Sequence, residues 1–120
     1  MHLLISFAAV PGPPAAPEVS NVLSTSCRVS YQLPVDEGDA PVTGYHVQRR
    51  AGGGAEWITV NTSPITELEF VVDHLTPHSR YEFRVAASNR IGIGDFGSSS
   101  QPITTNNSVR NMLIRDHSCL

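Results

Sequence analysis

Tyr81-Glu82-Phe83-Arg84-Val85-Ala86-Ala87-Ser88-Asn89, running on into Arg90-Ile91-Gly92-Ile93-Gly94, is the stretch that decides the fold. Tyr81, Phe83, Val85 and Ala87 share one parity, while Glu82, Arg84 and Ser88 take the other. A two-residue period with one apolar and one polar side marks a strand lying between a core and water. Gly92 and Gly94 then supply a turn, where a left-handed backbone costs glycine little.

On either side of this strand the chain is punctuated by turn chemistry at short intervals, as in an all-β domain. Pro11-Gly12-Pro13-Pro14 reads as a stiff extended linker that cannot donate to a sheet ladder. Strands are expected over residues 18–23, 26–32, 42–50, 56–61 and 68–73. The second turns Cys27, Val29 and Tyr31 inward; the third turns Tyr45 and Val47 inward and His46 and Gln48 outward; the fifth buries Phe70 and Val72. A last strand is expected to break near residues 97–100 and resume around 102–105. Residues 33–41, 52–54, 61–67 and 75–79 carry the glycines, prolines and short polar side chains of loops. The fold class is therefore all-β, a seven-stranded antiparallel sandwich with no amphipathic helix of useful length.

The chain of 120 residues has room for one core. Its formal charge of -3 excludes a generally basic nucleic-acid surface. Cys27 and Cys119 are the only cysteines, and their placement does not suggest a disulfide framework. Cys27 reads instead as a small buried apolar residue, and a reducing compartment fits. Residues 1–12 read as a leader or linker fragment. Their apolar run is preceded by no Lys or Arg and is too short to cross a bilayer, which takes about 20 apolar residues. No membrane insertion is expected. Residues 13–105 form the domain, and residues 106–120 are expected to be a disordered tail.

The Pro-Gly-Pro-Pro run, residues 26–34 and the loop Asp36-Glu37-Gly38-Asp39-Ala40-Pro41-Val42-Thr43-Gly44-Tyr45 together resemble a fibronectin type III module. Trp57, the Leu75-Thr76-Pro77 corner, the Tyr81 strand and Gly92/Gly94 continue that pattern in order. The resemblance implies an immunoglobulin-like sandwich. An immunoglobulin domain with its inter-sheet disulfide carries Cys two residues after the corner tyrosine, where this chain has Phe83. The second-strand tryptophan usual in the family is Tyr31 here, a smaller ring whose hydroxyl needs a partner if buried.

The strand-two cysteine, the Asp-Glu-Gly loop and Gly44-Tyr45-His46-Val47-Gln48-Arg49-Arg50 are most similar to modules of giant muscle proteins of the titin, twitchin and myosin-binding protein C type. That likeness implies a non-enzymatic structural and protein–protein interaction module of a multidomain sarcomeric protein in the cytoplasm. Its partners would be neighbouring immunoglobulin and fibronectin type III domains and thick-filament proteins. The alternative is an extracellular module of an adhesion molecule or receptor. There, Asn61-Thr62-Ser63 and Asn106-Asn107-Ser108 would accept glycans. No Arg-Gly-Asp follows Asn89.

No catalytic constellation is evident, and no cofactor or metal is expected. None of the five histidines is spaced with cysteines or carboxylates as a metal site requires. Asp36, Glu37 and Asp39 match no calcium-loop spacing and read as turn-forming carboxylates. The candidate partner-contact residues are Gln48, Arg50, Glu82 and Arg84, on the outward parity of two strands, with the loops 33–41 and 89–97. Arg49, Arg50 and Arg84 form either a positive patch or ordinary cross-strand pairs with Glu82 or Glu56. The expected core is Val29, Tyr45, Val47, Phe70, Val72, Tyr81, Phe83 and Val85, joined through the family resemblance by Trp57 and Leu75. The Tyr81 hydroxyl is expected to bond backbone near residues 75–78.

Overall fold

The computed structural model describes residues 8–107. The N-terminal apolar run through Phe7 and the tail from Ser108 lie outside the described residues, so the leader and tail expectations fall largely there. Among the described residues seven strands follow in order: β1 (Glu18–Ser20), β2 (Cys27–Ser30), β3 (Gly44–Ala51), β4 (Ile58–Thr59), β5 (Glu69–Val72), β6 (Arg80–Ser88) and β7 (Ile103–Thr104). They make two antiparallel sheets, ordered β1-β2-β5 and β4-β3-β6-β7, with the core between them.

The parity seen in the sequence sets the register. Val85 of β6 lies opposite Val47 of β3, and Ala87 lies opposite Tyr45. On the other sheet Val29 faces Phe70 across the ladder and Cys27 faces Val72. Slipping either ladder by one residue would turn these side chains to water, so burial fixes the pairing. Val29, Val47, Phe83 and Val85 are fully enclosed, and Tyr45, Val72, Leu75 and Tyr81 complete the cluster. Cys27 is buried as a free thiol, and burial pushes its pKa up to about 11, which suppresses the thiolate and its reactivity.

Tyr31 occupies the place of the family's tryptophan. Its ring centroid lies 4.8 Å from that of Tyr45, and its hydroxyl donates to Glu67 O at 2.9 Å. Burial raises the phenol pKa well above its usual value.

Phe70 packs against the core as expected but is only half-buried, β5 being an edge strand. Trp57 is outside the core cluster altogether and lies against outward arginines. It precedes a strand of two residues, both exposed, too few to impose an inward parity.

Several strands are shorter than expected, and at two places a side chain takes up a strand amide. Val47 N donates to Asn61 Oδ1 at 2.9 Å where a fourth-strand carbonyl would otherwise accept. Near the expected break in the last strand, Phe83 N donates to Ser100 Oγ at 3.0 Å.

The corner before β6 behaves as expected, with the polarity of its bond now defined. Thr76 N donates to the Tyr81 hydroxyl at 2.9 Å, so the phenol oxygen is the acceptor. Thr105 Oγ1 donates to Thr76 O at 2.7 Å and ties the last strand to the same corner. Tyr81→Phe removes that acceptor and should lower unfolding free energy by about 1–2 kcal/mol. An unchanged urea midpoint would show that the hydroxyl contributes nothing.

Candidate interaction face

β3 and β6 are the two central strands of the larger sheet, and their outward side chains meet in pairs. Gln48 lies opposite Arg84, and Arg50 lies opposite Glu82. All four candidate contact residues therefore come together on one face. Arg50 Nη2 reaches Glu82 Oε1 at 3.0 Å and Oε2 at 3.1 Å. Arg84 Nε donates to Gln48 Oε1 at 2.8 Å, and Gln48 Nε2 donates to Thr59 Oγ1 at 3.2 Å. The pairing reading thus holds for Arg50. Arg49 is on the opposite parity, 5.6 Å from the Tyr81 ring centroid, and takes no part.

Aromatic rings turn these pairs into a stack. The Arg84 guanidinium carbon lies 4.7 Å from the Phe96 centroid and 4.3 Å from that of Trp57; Arg50 covers Trp57 at 4.5 Å. The order Phe96, Arg84, Trp57, Arg50 alternates ring and cation across the sheet. Each such contact contributes about 0.5–1 kcal/mol at an exposed site. Arg50 Nε is buried with no hydrogen-bond partner among the described residues, and its guanidinium is held by Glu82 and the indole. Partial desolvation, then the nearby Arg50 charge, lowers the Arg84 pKa, yet a guanidinium remains charged at neutral pH. Two cations are thus held close together with a single carboxylate paired to one of them.

Trp57 was expected in the core rather than at a contact, and Phe96 was a candidate only as a member of the loop 89–97. One precedes a two-residue strand and the other lies in an irregular segment, so periodicity marks neither.

His46 was expected to point to solvent. It is on the outward parity but half-buried, with Nε2 3.1 Å from Ser88 Oγ, and burial lowers its pKa. Ser88 Oγ itself donates to Gly44 O, so the pair serves the backbone.

The two candidate loops meet at one pole, joined by the lead-in chain. Asn89 is the hub. Its amide nitrogen donates to Ala9 O, Glu37 O and Ala40 O, while Oδ1 accepts from Ile91 N and Gly92 N. The acidic loop spends its carboxylates on backbone amides: Asp36 on Gly38 N, Glu37 on Val42 N and Asp39 on Ala9 N. The prolines that follow lie flat on the domain, and a Cβ at Gly94 or Gly97 would run into the carbonyl of Pro11 or Pro14.

Residues 12–106 match the family model of the fibronectin type III domain. The chain is 34% identical over 102 residues to human cardiac-type myosin-binding protein C, covering 85% of this chain and 8% of that protein. It is 36% identical over 93 residues to striated-muscle M-protein of Gallus gallus, covering 78% of this chain and 6% of that one. A crystal structure of three consecutive titin domains superposes with a TM-score of 0.79 at 30% identity, over 83% of this chain and 34% of that one. The chain thus spans a small part of the relatives it matches.

Proposed function

The chain belongs to the fibronectin type III family, and on that premise we propose that it is a non-enzymatic structural and protein–protein interaction module of a multidomain sarcomeric protein. Its contact surface is the outer face of the four-stranded sheet, with Gln48, Arg50, Glu82 and Arg84 joined by Trp57 and Phe96. The setting is the cytoplasm of muscle, and the partners are adjoining immunoglobulin and fibronectin type III domains and thick-filament proteins. Similarity to muscle-protein modules supports the setting.

The observation that carries the contact surface is the stack of two guanidinium groups between aromatic rings. Arginine and aromatic side chains are enriched where interfaces concentrate their binding energy. Held in place by the rings, they lose little further side-chain entropy on binding. A partner surface that brings a carboxylate to Arg84 would relieve the repulsion between the two cations. Since one relative is named for binding myosin, purified thick filaments are the first partner to try. The purified chain should co-sediment with them, and Arg84→Glu should weaken that binding about tenfold. Retained binding by a folded Arg84→Glu chain would remove this face from the interaction. Hydrolytic turnover, or attachment to a cell-surface receptor alone, would overturn the functional reading.

A further inference from the structure

We infer that the outer edge of β5 is a docking site for an extended, positively charged peptide strand. A sheet edge displays unpaired N–H and C=O groups and invites another strand unless it is covered, shortened or interrupted. β7 has only two residues, and the segment ahead of it is crossed by Pro11 at Gly94 and by Pro14 at Gly97. β1 has three residues and begins directly after Pro17; β4 has two. β5 has four residues in unbroken register with β2, contains no proline or lysine, and is prolonged by Leu68, whose carbonyl accepts Tyr31 N.

That last bond fixes which groups have no backbone partner among the described residues. Leu68 and the residues of its parity, Phe70 and Val72, turn their backbone toward β2, so Glu69 and Val71 turn theirs away from it. Val71 is 54% exposed. A strand added here would run its inward side chains beside Phe70, into a groove of about 350 Å³ that Phe70 shares with Val60, Asn61, Pro64, Ile65 and Glu67. Backbone pairing supplies the affinity in this mode of recognition, and alternate side chains supply the selectivity.

Charge selects the occupant. From Ala51 to Ser79 the chain carries Glu56, Glu67, Glu69 and Asp73 and no lysine or arginine. Glu67 borders the groove, Glu69 is on the edge strand, and Asp73 follows it, bonded to the His74 ring. The nearest cation on this sheet is Arg28, one strand inward opposite Val71. A second copy of β5 paired antiparallel about Val71 would set Glu69 against Asp73, and facing like charges disfavour that pairing. An incoming strand with alternate cationic side chains has no such conflict.

The test uses the full chain and a fluorescent octapeptide of alternating lysine and valine, with alternating glutamate and valine as control. The lysine peptide should bind at least about tenfold tighter, weaken as salt rises and shift the amide signals of Glu69 and Val71. Val71→Pro deletes an outward N–H while leaving the β2 ladder intact, a position where proline is tolerated, and should abolish binding. Glu69→Lys leaves the backbone edge unchanged and should weaken the lysine peptide severalfold, which covers the case of a poorly folded proline variant. Equal binding of both peptides, undiminished binding by either variant, or shifts confined to the other sheet would overturn the proposal. Self-association through this edge, abolished by Val71→Pro, would overturn it in favour of a second copy.

Discussion

Phe83→Ala is expected to lower the unfolding free energy by about 3–5 kcal/mol, the cost of emptying a fully enclosed aromatic site. Phe83 has no exposed surface and lies at the centre of β6, the longest strand, paired to β3 across the whole ladder. Both neighbouring sheets would have to collapse into the void, and β6 cannot shift without losing register against β3 and β7 together. Because small domains are stable by only about 5–15 kcal/mol, the variant should be close to unfolding at body temperature. The check is a urea titration, with Val71→Ala as the comparison. That exposed change should cost less than about 0.5 kcal/mol. Similar midpoints for the two variants would refute the assigned core.

The second large effect is expected at Asn89. Asn89→Ala should cost about 2–3 kcal/mol, since one side chain serves groups from three separate segments and its removal strands several of them away from water. Its amide lies 3.1 Å from Ala9 O, 3.1 Å from Glu37 O and 3.3 Å from Ala40 O. Asn89→Asp keeps the shape and the acceptor for Ile91 N but places a carboxylate oxygen against those carbonyls. It should therefore be at least as damaging as the alanine. In both variants the amides of Ala9 and Gly12, which bond to Asp39 and Asp36 O, should lose protection from hydrogen exchange. Unchanged protection would mean that the lead-in is held by its prolines alone.

These residues also show what the sequence revealed and what it did not. β2, β3 and β6 were readable because each has at least four residues and lies between a core and water, so parity alone assigns their faces. Gln48, Arg50, Glu82 and Arg84 were found by the same rule applied outward, and the ladder places them together. Trp57 escaped the rule because the strand it precedes is too short to carry a period, and flat rings near a sheet edge are free to stack on guanidinium groups. Phe70 packs against the core as its parity says but stays half-buried, because parity says which face a residue is on, not how fully it is covered. Asn89 follows a strand and looks like an ordinary turn residue; its role depends on residues 49, 52 and 80 positions away in sequence, which no local pattern encodes.

The central functional claim is that the outer face of the four-stranded sheet meets a protein partner. Its most direct test is hydrogen exchange and side-chain footprinting of the chain, alone and bound to thick filaments. Protection is expected at Trp57, Phe96, Arg84 and Arg50, with β1 unaffected. Protection confined to β1, or to the pole around Asn89, would contradict the claim.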